Sequence, residues 1–110
     1  MKKKKMGHIV NVASIAGRTV GFKGSFYSST KFAVMGYSEG IRKDLEPFNI
    51  KVSTVCPGMV QTDFFTKKEL WNGKVPVMLN SADIAKAICF VLKQPTHVEI
   101  RDILVMPFGN

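Results

Sequence analysis

The order of hydrophobic patterns along the chain is the strongest constraint on its fold. Gly7 to Ser14 is a short, nearly continuous apolar run in which Ile9, Val10 and Val12 are β-branched. Runs of this kind are strands covered on both faces. After a loop bearing Gly17, Gly21 and Gly24, the period changes. Tyr27, Lys31, Val34, Met35, Ile41 and Leu45 recur at helical spacing, which predicts a helix from Ser25 to Glu46 with Pro47 as its stop. Ile50 to Val55 is a second β-branched run, ended by Cys56-Pro57-Gly58. Residues 59 to 80 read as irregular or partly helical, with turn chemistry at Asn72-Gly73. Ser81 is the expected N-cap of a second helix, with Asp83 in its first turn and Ile84, Ile88, Val91 and Leu92 as its apolar stripe. Ile100 to Met106 is a third strand candidate, closed by Pro107.

Strand, helix, strand, helix, strand predicts an α/β chain with a parallel sheet of about three strands and flanking helices. Residues 1–110 read as a single unit. Three strands make a thin sheet, because parallel sheets normally have more strands and are covered on both faces. The expectation is therefore a portion of a larger sheet.

Composition excludes several functions. Apolar residues are 45% of the chain and aromatic residues 10%, too many for a disordered segment. The net charge of +8 suggests a polyanion partner until it is located. Lys2 to Lys5 supply four of those charges, and the others are scattered among acidic residues with no basic stripe and no interleaved aromatics. Neither nucleic acid nor membrane is expected as a partner. The lysines and the following apolar run imitate a secretory signal, but His8, Asn11 and Ser14 interrupt the imitation. Cys56 and Cys89 make no disulfide scaffold, and no His/Cys cluster has metal-ligand spacing, so no metal is expected and a cytoplasmic location is the ordinary reading.

Three features can carry chemistry. Tyr27 and Lys31 stand four apart and share one helix face. An ammonium beside a phenol favours the phenolate, by about 4 kcal/mol for two unit charges near 4 Å at an effective dielectric of about 20. That makes Tyr27 a candidate general acid/base, although spacing alone does not separate this from surface packing. Ser14 ends a predicted strand, where open α/β sheets bind ligands, or else caps a turn. Pro57-Gly58-Met59-Val60-Gln61-Thr62 ends the next strand. There Gly58 could admit a ligand close to the backbone, and the Val60 amide and Thr62 hydroxyl could bond it; a plain Pro-Gly turn is the alternative.

Ser14, Tyr27-x-x-x-Lys31 and Pro57-Gly58-x-x-x-Thr62, in this order and spacing, resemble the C-terminal half of the short-chain dehydrogenase/reductase superfamily. Gly7 to Ser14 is similar to the strand leading to the family's catalytic serine, and Tyr27 to Ala33 to its active-site helix. The resemblance implies the C-terminal portion of a partial doubly wound, Rossmann-like dehydrogenase domain. It implies hydride transfer between NAD or NADP and a small carbonyl or alcohol substrate, and a homo-oligomer in the full-length context. Tyr27 would move the proton, Ser14 would hydrogen-bond the reacting oxygen, and Lys31 would assist Tyr27 and hold the nicotinamide ribose. Tyr27, Lys31, Pro57, Gly58, Val60 and Thr62 would face the cofactor. Gln94-Pro95 and the final strand resemble a subgroup acting on small hydroxy acids and amino-alcohol-like substrates, which favours NADP slightly.

The family pattern also needs a glycine-rich turn under the pyrophosphate. Gly17, Gly21 and Gly24 do not have G-x-G-x-x-G spacing, and the helix after them carries the tyrosine. Asn11 is not the family's catalytic asparagine, which would precede residue 1 in this numbering. The expectation is therefore a truncated oxidoreductase, inactive alone. The alternative is a non-catalytic Rossmann fragment that binds a partner through its open sheet edge. Phe64, Phe65 and Trp71 are candidates for a lid over the site.

Overall fold

The computed structural model describes residues 1–62 and 77–109. The expected Asn72-Gly73 turn and the lid candidates Phe64, Phe65 and Trp71 lie outside the described residues. Strands β1 (Gly7–Val12), β2 (Ile50–Pro57) and β3 (Asp102–Val105) form one sheet in the order β1-β2-β3, and both pairings are parallel. Helix α1 (Ser25–Leu45) joins β1 to β2, and helix α2 (Ser81–Leu92) precedes β3. This is the α/β arrangement expected from the alternation of patterns, and it matches the partial Rossmann-like sheet that the resemblance implies.

β2 is central, and its residues explain why. Ile50, Val52, Thr54 and Val55 are β-branched, and every residue of the strand except Lys51 is buried. Val52, Val55 and Cys56 are fully inaccessible and form the core with Ala13, Ile84 and Val91. Burying each such side chain contributes roughly 1.5–3 kcal/mol.

α1 packs on one face of the sheet through three polar ties. The Asn11 amide donates to Ser38 Oγ at 2.8 Å, and Ser38 donates in turn to the Val34 carbonyl. Cys56 Sγ lies 3.6 Å from Met35 Sδ. The buried Arg42 guanidinium donates to the carbonyls of Val52 (2.9 Å) and Arg101 (3.3 Å) and pairs with Glu39 at 2.7 Å. Asp102, at the start of β3, stands 3.8 Å from Arg42 and 3.9 Å from Arg18. On the opposite face His8 Nε2 is 2.7 Å from Ser53 Oγ, which donates to the Ile100 carbonyl. Lys51 donates to the carbonyls of Pro95 and Val98.

Several boundaries differ from expectation. α1 stops one residue before Glu46, and Pro47 enters a short 3-10 turn (Glu46–Phe48). Asn49, at φ 57°, then reverses the chain into β2 from the left-handed region, which asparagine tolerates better than most residues. Asn80, not Ser81, caps α2. Its side chain accepts from the Asp83 amide (3.1 Å), and the Asp83 carboxylate accepts from the Asn80 amide (2.9 Å), a reciprocal box that Ser81 lacks the spacing to make. β3 is shorter than Ile100–Met106: its ladder with β2 runs from the Thr54 amide on the Arg101 carbonyl to the Gly58 amide on the Val105 carbonyl, and the Ile100 carbonyl serves the Ser53 hydroxyl. Lys2 to Lys5 form an exposed turn, with the Lys2 ammonium 4.7 Å from the Phe48 ring centre.

Candidate active site

The site grows from the C-terminal ends of β1 and β2. β1 ends at Val12, but the Ala13 amide still donates to the Val55 carbonyl at 2.8 Å. Continued two residues, the register Val12↔Val55 sets Ser14 level with Pro57. Two separate groups of sequence candidates therefore lie at the C-terminal ends of adjacent strands. Adjacent strands run about 4.8 Å apart.

Ser14 is not the last residue of the strand. Its backbone is extended (φ −168°, ψ 161°), and its Oγ accepts from the Ala16 amide at 3.1 Å, capping a 3-10 turn over Ile15–Gly17. The turn-capping reading of Ser14 is thus what the backbone shows. A hydroxyl that accepts there retains its proton for another acceptor. Gly17, buried at the end of this turn, lies against α1. A Cβ at Gly17 would stand 2.9 Å from the Lys31 carbonyl oxygen and 3.0 Å from Met35 Cγ. The absence of a side chain there lets the serine turn approach the helix that carries Tyr27 and Lys31.

That helix begins at Ser25. The Lys31 ammonium lies 5.7 Å from the Tyr27 ring centre, within cation-π range, so the expected sharing of one helix face holds. Tyr27 is half exposed, while its neighbour Ser28 is buried and donates to the Thr19 carbonyl at 3.3 Å. Ser28 thereby holds the loop between the serine turn and α1 against the start of the helix.

At the end of β2 the requirement for glycine has a different cause from the one expected. The Gly58 amide donates to the Val105 carbonyl at 2.7 Å, and a Cβ at Gly58 would stand 2.9 Å from both Met106 Sδ and Pro107 Cδ. The close approach is to the chain leaving β3. Beyond it, Val60 forms a parallel bridge with Leu79: the Leu79 amide donates to the Met59 carbonyl and the Gln61 amide to the Leu79 carbonyl, each at 2.8 Å. This pattern turns the N–H and C=O of Val60 itself away from Leu79. Thr62 is exposed at the end of the described stretch.

Sequence reasoning missed the supports of this site. Gly17 entered it only as a rejected nucleotide-binding glycine, and Ser28 and Arg42 did not enter at all. An arginine seven residues after Met35, on the apolar stripe of the predicted helix, was the one available signal for Arg42.

The model of the family described as short chain dehydrogenase matches residues 1–73. The chain belongs to the short-chain dehydrogenase family. An uncharacterized oxidoreductase of Staphylococcus aureus (strain MW2) is 36% identical over 107 residues, which cover 97% of this chain and 45% of the relative. A beta-ketoacyl-[ACP] reductase of Bacteroides thetaiotaomicron is 37% identical with a TM-score of 0.73, over 97% of this chain and 43% of that one. The closed form of a serine dehydrogenase complexed with NADP+ is 28% identical with a TM-score of 0.83, over 97% and 46%. The chain thus spans less than half the length of the relatives it matches. Among the described residues no helix is long and apolar enough to cross a membrane, and no group of three or more His, Cys, Asp or Glu could hold a metal ion.

Proposed function

We propose that this chain carries the proton-transfer side of an NAD(P)-dependent oxidoreductase site, as the C-terminal portion of a dehydrogenase domain. Tyr27 exchanges a proton with the reacting oxygen of a small carbonyl or alcohol. Ser14 donates its hydroxyl proton to the same oxygen and steadies the charge that develops there. Lys31 sits beside the phenol, assists its proton transfer and holds the nicotinamide ribose. The observation that carries this reading is the Lys31 ammonium 5.7 Å from the Tyr27 ring, on a helix against which Gly17 packs the Ser14 turn.

The residues at the end of β2 fit a nicotinamide group. Val60 keeps an outward N–H and C=O able to pair with an amide, and Pro57 lies at the end of the strand adjacent to the one that leads to Ser14. The cofactor would supply the hydride chemistry, and the protein the placement. The likeness to an NADP+-complexed serine dehydrogenase supports a hydroxyl-bearing substrate and NADP over NAD.

The test is a chimera in which residues 1–110 replace the matching segment of the Bacteroides thetaiotaomicron reductase. Turnover with NADPH should fall by about 10²–10⁴ in Tyr27→Phe, the usual contribution of a positioned acid. A chimera that turns over equally well with Tyr27→Phe would refute the assignment.

A further inference from the structure

The bridge between Val60 and Leu79 joins the chain leaving β2 to the residues that start α2. No described peptide bond is cis, and in a trans peptide the C=O and the following N–H point in opposite directions. The Leu79 amide draws the Met59 carbonyl toward itself, so the Val60 N–H, in the same peptide plane, points away from Leu79. The Leu79 carbonyl draws the Gln61 amide toward itself, so the Val60 C=O points away as well. Leu79 therefore sets both of the peptide planes that flank Val60.

The same geometry reaches one step further. The Asn80 N–H shares a plane with the Leu79 C=O and donates to the Asp83 carboxylate at 2.9 Å. That bond holds the Leu79 carbonyl on the opposite side, toward Gln61. Asp83 is itself fixed at the third position of α2, where its amide donates to Asn80 Oδ1 at 3.1 Å. A chain of alternating bonds and planes thus runs from the Asp83 carboxylate to the Val60 C=O.

We infer that Leu79 and Asp83 are positioning residues for the cofactor: the Leu79 amide aims the Val60 N–H, and Asp83, through the Asn80 amide and the Leu79 carbonyl, aims the Val60 C=O, at the nicotinamide carboxamide. This rests on the reading of Val60 as a nicotinamide partner. It makes cofactor affinity depend on the capping box of a helix that contributes none of the candidate site residues.

A carboxamide offers its C=O to the Val60 N–H and its NH2 to the Val60 C=O, so the two arms can be separated. The probes are NADP+ and its 3-acetylpyridine analogue, in which a methyl group replaces the NH2. Their affinities for the reductase chimera are measured by isothermal titration calorimetry. Asp83→Ala should weaken NADP+ about three- to tenfold, the worth of one hydrogen bond, and the analogue less than about twofold. Asp83→Asn keeps an acceptor and should restore most of the loss. Leu79→Pro removes the amide that holds the other plane and should weaken both probes alike. Leu79→Ala keeps both backbone bonds and should bind both probes like the unmodified chimera. A further measurement needs no substitution: in the isolated chain the Leu79 and Gln61 amides should exchange at least about tenfold more slowly than the Val60 amide. Equal exchange of these three amides, unchanged NADP+ affinity in Asp83→Ala, or equal weakening of both probes by it would overturn the inference. A chimera that binds neither probe would overturn the cofactor reading beneath it, and turnover indifferent to Tyr27→Phe with these binding effects intact would overturn the catalytic reading alone.

Discussion

Gly17→Ala tests whether the serine turn is held against the active-site helix by direct contact. The new methyl would meet the Lys31 carbonyl oxygen at 2.9 Å, the Lys31 carbonyl carbon at 3.1 Å and Met35 Cγ at 3.0 Å. The methionine can swing aside, but the carbonyl belongs to a helix and moves only with it. Gly17 is not among the positive-φ residues, so alanine meets no backbone strain and the effect is steric. Overpacking of this kind costs about 1–3 kcal/mol. Restricting the unfolded chain returns about 0.4–1 kcal/mol. The expected net loss is about 1–2 kcal/mol, and at a urea slope near 2 kcal/mol/M the midpoint should fall by about 0.5–1 M. Urea unfolding followed by far-UV circular dichroism measures it. A variant as stable as the unmodified chain, or more stable, would show that the turn does not rest on Lys31.

The other glycines and two polar sites give contrasting outcomes. Gly36→Ala should stabilise by about 1 kcal/mol in the same urea titration, because it lies inside α1 with nothing within 4 Å of a new Cβ; a loss of stability would expose an unrecognised contact. Arg42→Met should cost about 1–3 kcal/mol, since it strands the Val52 carbonyl while the Arg101 carbonyl keeps the Thr54 amide, and a change under about 0.5 kcal/mol would show that solvent replaces the lost bond. Burial, and then the Lys51 ammonium, hold the His8 imidazole below its usual range against the opposing pull of Glu99. The unfolded chain therefore takes up this proton at a higher pH than the folded one, and stability should fall as pH drops below about 6.5 toward the folded value. Midpoints at about pH 7.5 and 5.5 should differ less in His8→Gln, and an equal difference would assign the slope to other groups.

Local signals made the fold readable. β1 and β2 announce themselves by β-branched runs, and α1 by its period and Pro47. Where local signals competed, the reading shifted by a residue. Asn80 and Ser81 are both good caps, and only the three-residue reach to Asp83 decides for Asn80. The Ser14 region was harder, because a strand pattern and a capped turn share the same few residues. Partners remote in sequence were not readable at all. His8 and Ser53 are 45 residues apart, and Arg42 and Arg101 are 59 apart. No local pattern links them, and only the parallel register brings them together.

The site divides along the same line. Tyr27 and Lys31 are four residues apart on one helix, so helical geometry alone predicts their meeting, and the 5.7 Å separation agrees. Ser14 and Pro57 are joined only through the β1–β2 register, and Gly17 and Lys31 only through the packing of α1 on the strand ends. The chemical groups sit in short local motifs, while their relative placement depends on the sheet. β2 supplies that placement: it pairs with both neighbours, it is buried along nearly its whole length, and its Val52 carbonyl anchors Arg42 of α1. Damage to β2 should therefore disorganise the site more than damage to either edge, even though β2 itself contributes only Pro57 to the candidate residues.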